Sequence, residues 1–358
     1  MRKDKILLYS IYLMGIISLM IFIVTKSETL MDIATAGMFS DGDLYRFAKI
    51  YSFKTNLPPQ ECKDDNPTDI DPDTSSIIVI GDSFMETCRG HKRFPVQISE
   101  RLAKPICSVY AGWTPEYFDP VYYCWKNHLD REKKRIVLLE RVERYILSSY
   151  GTEQDEDTAS FQDNENTSTE NVWSVQKRRW FTEAEKNYEV FLTSSDYTTP
   201  LIELWNTFRF TALKQISSET PVYSLNPPFL FEAEEVSRDE VTSFYYHHTD
   251  SLIAQIADNI AVQRDTLLAN YNAELVFMPV PNPYTLYHAF INNDSYDDYL
   301  PRLCAELEKR GVRTIQLYQK FREAENILYF PTDTHWNAEG AKIAVDQAVS
   351  VVSQISIP

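Results

Sequence analysis

The chain has 358 residues, of which 44% are hydrophobic and 24% are charged, so it is long enough for one large globular domain or two smaller ones. Its formal net charge of -17 gives no evident basic face, so we do not expect nucleic acid among its partners. A polyanionic substrate stays compatible with this charge, because a local cluster such as Lys177-Arg178-Arg179 could still contact one.

The first feature along the chain is an apolar stretch from Ile6 to Val24 that contains no charged residue. As a helix it would be about 28 Å long, which is enough to cross the core of a bilayer. Three basic residues precede it, which favours a cytoplasmic N-terminus and places the rest of the chain outside the cytoplasm. They are Arg2, Lys3 and Lys5. We therefore predict a membrane anchor over residues 1–26.

A cleaved signal peptide is the alternative interpretation of the same stretch. Ala34-Thr35-Ala36 has the small-x-small pattern of a cleavage site. It lies far beyond Val24, however, and the apolar run is longer than the ~7–15 residues of a signal core. The sequence therefore favours an uncleaved anchor.

The chain has five cysteines, namely Cys62, Cys88, Cys107, Cys124 and Cys304. They form no CxxC motif and no Cys/His cluster with zinc spacing, so we predict no metal site. Outside the cytoplasm a pair of them could be oxidised, and the odd count leaves at least one thiol without an intramolecular partner. One disulfide and a set of plain buried thiols both remain possible from the sequence.

Residues 27–74 are polar and turn-rich, and we interpret them as a stalk and a loop leading into the next domain. The β-branched run Ile77–Ile80 then predicts a buried strand of a parallel sheet. Gly81 permits a sharp exit from that strand. Ser83 would follow at the carboxyl end of the strand, where open α/β sheets bind their ligands. Ser83 is therefore a candidate nucleophile.

Beyond this point strand and helix patterns alternate, which is typical of an α/β fold with a parallel sheet. The predicted helices are Pro95–Leu102, Phe118–His128, Ser251–Asn270, Tyr299–Lys309 and Ala338–Val352. The further predicted strands are Ile106–Tyr110, Arg135–Glu140, Ala273–Pro279 and Thr314–Tyr318.

The alternation is interrupted at about 151–245. Residues 151–171 are acidic and rich in Ser, Thr and Asn, which indicates a flexible surface insertion. Residues 173–242 are dense in aromatic residues and fit either a cap over the site or a docking surface. Their aromatic side chains favour core packing over sugar platforms.

A second chemistry-bearing segment lies just before the last helix. Asp333 and His335 are two residues apart, so one loop can present both side chains to one serine. A serine attacks a carbonyl when a histidine removes its proton. A carboxylate fixes the tautomer of that histidine and stabilises its charged form. We predict Ser83 as nucleophile, His335 as base and Asp333 as the group that orients it.

Two blocks resemble a known superfamily. Ile78–Phe84 resembles the first block of the SGNH/GDSL hydrolases. Asp333–Asn337, followed by Gly340, resembles the last block in one branch, the SGNH-like domain of the alginate O-acetyltransferases AlgJ and AlgX and the related DHHW proteins. Because the serine block comes first, the block order matches ordinary SGNH enzymes, whereas the alginate branch can have the reverse order.

Two further stretches are similar to the same branch. Leu138–Tyr145 resembles its strand with a Glu-x-x-Glu-Arg signature, and Val280–Tyr287 resembles its Val-Pro-x-Lys-x-x-x-Tyr segment. The resemblance covers about residues 75–150 and 250–352. It implies a three-layer SGNH-like sandwich with a central parallel sheet over residues 75–358.

The resemblance also implies an oxyanion hole. Its donors would be the backbone N–H groups of Ser83 and Gly112, completed by a side chain such as that of Tyr287. Asp82 and Trp336 flank the triad and are predicted to contact the substrate. Two departures from the branch leave the third donor of the oxyanion hole unassigned. Pro283 stands where the branch has a lysine, and no clear Gly-x-Asn-Asp block is present.

Each supporting residue also has a structural interpretation. Gly112 would serve equally as a turn residue, and Tyr287 as a packed aromatic. Glu140 and Arg144 would form an ion pair that braces the site, or would cap the sheet.

The resemblance implies an O-acetyltransferase that modifies a cell-surface or secreted polysaccharide through an acetyl-serine, without a cofactor. It also implies a polytopic membrane-bound O-acyltransferase as the supplier of acetyl groups. The expected location is the bacterial inner membrane, with the catalytic domain in the periplasm. Two alternatives remain: a carbohydrate acetyl esterase with the same triad, and a non-catalytic scaffold that binds polysaccharide.

Overall fold

The computed structural model describes residues 2–38, 40–60, 62, 70–112, 114–151, 186–220 and 222–356. The chain forms two compact units. The first contains residues 1–54 and 162–217, and the second contains residues 55–161 and 218–358. Except for Gly151, the predicted surface insertion at 151–171 lies outside the described residues, as do Lys177-Arg178-Arg179. The predicted domain boundaries stay a prediction.

The described strands of the second unit are β1 Ile77–Gly81, β2 Ile106–Tyr110, β3 Arg135–Val142, β4 Val222–Leu225, β5 Pro228–Phe231, β6 Ala273–Val280 and β7 Arg313–Thr314. Five of them form a parallel sheet of order β2-β1-β3-β6-β7, and β4 and β5 form a separate antiparallel hairpin. The chain order reverses on either side of β1, which has β2 on one flank and β3 on the other. Open α/β sheets bind their ligands at such a switch point, beyond the carboxyl ends of the strands.

Helices cover both faces of this sheet. Ile77 and Val79 point into one apolar cluster, together with Val345 of the last helix. Ile78 and Ile80 point into a second cluster on the opposite face. Parallel strands that are buried on both faces need such continuous apolar runs. The predicted α/β sandwich is therefore confirmed. The helices of this unit are Ser83–Glu86, Phe94–Leu102, Pro120–Lys126, Glu143–Tyr150, Ala233–Val236, Asp250–Tyr271, Pro283–Tyr287, Tyr299–Lys309, Leu317–Arg322 and Ala338–Val352, with 3-10 turns at Pro115–Phe118 and His288–Phe290.

One predicted strand is wrong. Instead of a strand over Thr314–Tyr318, the sheet edge ends at Thr314 and a helix runs from Leu317 to Arg322. The buried side chains Leu317, Tyr318 and Phe321 lie at helical spacing and pack on one face. A short apolar run does not by itself distinguish a strand from a buried helix, and here the helical face prevails.

The bounds of one helix also differ from the prediction. The helix predicted over Phe118–His128 spans only Pro120–Lys126. Asp119 caps it by accepting hydrogen bonds from the N–H groups of Val121 and Tyr122. This cap fixes the first turn of the helix at Pro120, where a proline is well tolerated.

The first unit is helical. Residues 27–74, predicted as a polar stalk and entry loop, contain helices at Glu28–Ala34 and Asp43–Ala48 and a 3-10 turn at Tyr51–Phe53. The other described helices of this unit are Arg2–Thr25, residues 186–194 and Thr199–Leu213. In the first of these, residues Lys5–Thr25 are long and apolar enough to cross a membrane.

The structure also resolves the cysteine alternatives. Cys62 and Cys88 form a disulfide within the second unit. Cys107, Cys124 and Cys304 are buried thiols that are not disulfide-bonded.

Candidate active site

The turn after β1 places Ser83 at the edge of the sheet. A Cβ atom on Gly81 would lie 2.4 Å from Met85 Cγ and 2.5 Å from Glu140 Oε2, so no larger residue fits at this exit. The Asp82 carboxylate caps the following helix by accepting the N–H of Phe84 at 3.0 Å. Ser83 is the first residue of that short helix and is half-buried.

A second loop is fixed against the start of the last helix. Phe330 N–H donates to the carbonyl of His335 at 3.1 Å, and Asn337 N–H donates to the carbonyl of Leu328 at 2.7 Å. The Asn337 side chain also caps the helix Ala338–Val352. A Cβ atom on Gly340 would lie 2.4 Å from the Leu328 carbonyl oxygen, so the close approach of helix and loop requires glycine.

The structure brings Ser83, His335 and Asp333 into one hydrogen-bonded line. His335 Nε2 lies 2.8 Å from Ser83 Oγ, and His335 Nδ1 lies 2.6 Å from Asp333 Oδ1. The backbone N–H of His335 also donates to Asp333 Oδ1 at 3.1 Å. These distances are within reach for proton transfer from the serine to the imidazole. The arrangement can therefore generate a nucleophilic alkoxide and hold the imidazolium that results.

Arg89 supports the aspartate from its other side. Arg89 Nε lies 3.3 Å from Asp333 Oδ2, and the side chains are only 4% and 3% exposed. Burial alone would raise the pKa of Asp333, but the charge and hydrogen bonds of His335, with the charge of Arg89, hold this pKa below its usual value. The aspartate is therefore held as a carboxylate.

Sequence reasoning missed Arg89. It follows Ser83 in the same loop, directly after Cys88, which is bonded to Cys62. Its Nη1 donates to the carbonyl of Pro58 at 3.3 Å. The one sequence signal for Arg89 is its position in the loop that follows the predicted nucleophile Ser83. Only the fold shows that its guanidinium contacts the carboxylate of Asp333.

A buried glutamate lies directly behind the nucleophile turn. Asp82 N–H donates to Glu140 Oε2 at 2.8 Å. Burial raises the pKa of Glu140 well above its usual value, and the nearby Asp82 carboxylate raises it further. Burial therefore favours the neutral form of Glu140, whose Oε2 holds the backbone at Asp82.

The ion pair proposed between Glu140 and Arg144 is wrong. The salt bridges of Arg144 go to Glu235 Oε1 at 3.0 Å and to Glu232 Oε2 at 3.2 Å. Both partners lie in the segment between β5 and the helix Asp250–Tyr271, for which no partner was predicted.

Gly112 lies in the turn that leaves β2, beside β1. The N–H of Ala111 donates to the Gly81 carbonyl at 2.8 Å, which joins the exits of the two strands. A Cβ atom on Gly112 would lie 2.4 Å from the ring of Tyr110, so this close packing needs glycine. Burial raises the pKa of Tyr110, and the charges of Asp82 and Glu86 add to this. The role of Gly112 as an oxyanion donor stays a prediction.

Two other predicted site residues have packing contacts. Tyr287 Oη accepts the N–H of Leu328 at 2.7 Å, and burial raises the pKa of Tyr287 to about 12. Trp336 is completely buried, with its ring edge-on to Phe84 at 5.0 Å between centroids. A fully buried indole cannot touch a sugar, so the predicted substrate contact of Trp336 is corrected to a core contact beneath His335.

The fold is α/β, with a five-stranded parallel sheet among helices as in SGNH-like proteins. Residues 227–356 match the family model described as "SGNH hydrolase-like domain, acetyltransferase AlgX", which confirms the predicted resemblance over this part of the chain. The matched segment contains Asp333 and His335 but not Ser83. The AlgX acetyltransferase family implies an acyltransferase. Comparisons of the chain with curated proteins and with solved structures find no match.

Proposed function

We propose that the protein is an O-acetyltransferase that transfers an acetyl group through Ser83 to a hydroxyl group of a polysaccharide. The observation that carries this proposal is the 2.8 Å contact between His335 Nε2 and Ser83 Oγ, continued to Asp333 at 2.6 Å. Two loops that are far apart in the sequence supply these groups. The family match over residues 227–356 favours acyl transfer among the reactions open to such a triad.

The reaction has two halves. In the first, His335 takes the proton of Ser83 while Ser83 Oγ bonds to the acetyl carbonyl carbon of the donor. The tetrahedral intermediate then expels the donor's leaving group, which receives the proton from His335. In the second half, His335 takes the proton of a sugar hydroxyl whose oxygen attacks the acetyl-serine. Ser83 Oγ leaves and recovers the proton, so the enzyme returns to its starting state.

Asp333 has a supporting role in both halves. Each half passes through an imidazolium at His335, and the adjacent carboxylate stabilises this charge. The tetrahedral intermediate carries an oxyanion, for which the N–H groups of Ser83 and Gly112 are the proposed donors.

The proposed acceptor is a cell-surface or secreted polysaccharide, since the AlgX family acts on polysaccharide. We assign residues 75–358 to the catalytic domain, and residues 1–26 to a single-pass anchor in the bacterial inner membrane with the body in the periplasm. The apolar helix Lys5–Thr25 supports the anchor, and the disulfide Cys62–Cys88 suits an oxidising compartment. A polytopic membrane-bound O-acyltransferase is the proposed acetyl supplier.

The test uses the full chain in phospholipid nanodiscs, with p-nitrophenyl acetate as donor and uronic-acid or hexose oligosaccharides as acceptors. Mass spectrometry would detect acetylated oligosaccharide, which supports the transferase. Release of free acetate with no acetylated acceptor would support the esterase instead. Ser83→Ala should abolish both products. Ser108→Ala, on the neighbouring strand β2, is the matched control and should keep full activity.

A further inference from the structure

The helix Thr199–Leu213 has the opposite distribution of polar and apolar side chains from a helix at a water surface. Its exposed face is apolar, and the side chains of Leu201, Leu204, Trp205 and Phe208 are between 53% and 70% exposed. Trp205 and Phe208 stack on each other with ring centroids 5.9 Å apart. Within this fully described helix, no exposed position carries a charge.

Two polar residues of the same helix, Glu203 and Asn206, point inward. Glu203 is buried and accepts hydrogen bonds from Tyr45 Oη at 2.9 Å and from Lys54 Nζ at 2.6 Å. Asn206 Nδ2 donates to the carbonyl of Ala48 at 3.0 Å. A helix at a water surface turns its apolar stripe to the core and its polar residues outward. The polar face of this helix makes the hydrogen bonds to residues 45–54. Its apolar face is therefore the exposed one, and it suits a non-aqueous environment.

The same unit contains the helix that is long enough to cross a membrane. Asn187 Nδ2 donates to the carbonyl of Thr25, the last residue of that helix, at 3.0 Å. Phe191 packs with Met31 in an apolar cluster that Val24 also contacts. The segment leading into Thr199–Leu213 is therefore joined to the end of the apolar helix, where a bilayer core would end.

We propose that Thr199–Leu213 is an interfacial helix whose exposed apolar face lies in the lipid bilayer, at the boundary between headgroups and acyl chains. A helix with an apolar aromatic face binds membranes in this orientation. Trp and Tyr side chains prefer this boundary, which suits Trp205 and the exposed Tyr188 and Tyr197 of the same unit. The proposal rests on the proposed membrane anchor but not on the proposed chemistry at Ser83.

The interfacial contact would restrict the orientation of the first unit on the membrane. A single transmembrane helix leaves the attached unit free to rotate and tilt. A second contact, made by a helix that is hydrogen-bonded to residues 45–54, removes much of this freedom.

The test measures lipid contact at one position in the full chain. Phe208→Cys is labelled with an environment-sensitive NBD fluorophore. The native thiols Cys107, Cys124 and Cys304 are buried, so the new thiol reacts preferentially. The chain is placed in phosphatidylcholine nanodiscs with a doxyl quencher either near the headgroup or at the end of the acyl chain. We expect blue-shifted emission and a larger loss of fluorescence with the quencher near the headgroup.

Two further labels make the result decisive. Leu204→Cys, on the same face, should behave like Phe208→Cys and guards against a local folding defect. Gln319→Cys, on an exposed helix of the other unit, reports non-specific insertion of the dye. Equal quenching at position 319 would overturn the proposal.

Other occupants of the surface give different results. Blue-shifted emission that neither quencher affects would mean that protein covers the face, either a second copy or a membrane-protein partner, and would overturn the lipid assignment. Emission typical of water would overturn it as well. The intact mass of the membrane-extracted chain tests the anchor separately: loss of the N-terminal helix would refute the anchor without bearing on Ser83.

Discussion

Replacing Arg89 with glutamine tests the electrostatics of the site. The guanidinium lies 3.3 Å from Asp333, and Asp333 lies 2.6 Å from His335 on its other side. The change removes a positive charge that opposes protonation of the imidazole. His335 must be neutral to act as a base, so its protonation at low pH ends activity. In the variant protonation occurs more readily, and the acid limb of the pH–rate profile should move to higher pH.

The size of this shift follows from the geometry. The 3.3 Å contact of the guanidinium and the 2.6 Å contact of the imidazole are made to the two oxygens of one carboxylate. Two unit charges about 7 Å apart, at an effective dielectric constant of about 20, interact by about 2 kcal/mol. Since about 1.4 kcal/mol corresponds to one pH unit, the limb should move by about one to one and a half units. Water that enters the vacated space would reduce the shift toward the lower figure.

The neighbours of His335 do not obscure this effect. His91 is the nearby histidine, and burial, together with the charge of His335, lowers the pKa of His91, which moves its titration below that of an ordinary histidine. Removing one partner of a buried ion pair costs about 3–5 kcal/mol, so part of the variant protein will be unfolded. Because the folded fraction can itself vary with pH, the rate at each pH is divided by the folded fraction measured by circular dichroism in the same sample.

The assay is hydrolysis of p-nitrophenyl acetate by the full chain between pH 4 and pH 9. Arg89→Lys keeps the charge and should keep the limb near its original position. Arg93→Gln removes the charge of an arginine in the same loop, one that pairs with Glu86 instead, and is the matched control. If Arg89→Gln leaves the limb unmoved, or if Arg93→Gln moves it equally, the electrostatic role of Arg89 is refuted. An inactive wild type would instead refute the proposed function.

Three further changes probe the residues around the triad. Glu140→Gln should keep activity because the amide resembles the neutral acid, whereas Glu140→Ala leaves the Asp82 N–H unsatisfied and should lower the free energy of unfolding by about 1–3 kcal/mol. Trp336→Ala should cost about 3–5 kcal/mol, measured by denaturant unfolding, because it empties a fully buried site. Tyr287→Phe should cost about 1–3 kcal/mol by leaving the Leu328 N–H unsatisfied, with kcat nearly unchanged.

Each of these expectations has a contrary result. Loss of activity in Glu140→Gln at full stability would mean that the ionised carboxylate is needed. A Trp336→Ala variant as stable as the wild type would contradict the core assignment. A fall in kcat of ~10²–10³ in Tyr287→Phe would restore this tyrosine as the oxyanion donor predicted from the sequence.

Much of the fold could be predicted because local patterns agree with the tertiary structure. The strands that begin at Ile77 and Ala273 consist mostly of apolar residues because both faces of the sheet are covered there. The last helix, Ala338–Val352, has the predicted bounds, since Asn337 caps it and its apolar spacing is regular. Thr314–Tyr318 was misread because a short apolar run looks the same in a strand as in a helix.

Less of the site than of the fold could be predicted from the sequence. The pairing of Ser83 with His335 was suggested by residue types at the two ends of the α/β region, which one sheet edge then brings together. The position of Arg89 near Ser83 did not identify its partner, because Asp333 lies 244 residues away and only the folded loops bring the two together. Trp336 stood beside the triad in sequence, but adjacent residues of an extended segment point to opposite sides.

The most direct measurement of the central claim is the covalent state of Ser83. The full chain is incubated with p-nitrophenyl acetate without a sugar acceptor, quenched in acid and digested for peptide mass spectrometry. We predict an added acetyl group on the peptide that contains Ser83, and its absence in His335→Ala. An acetyl group on another residue, or an unmodified Ser83 in a chain that turns over the donor, would contradict the assignment of Ser83 as the nucleophile.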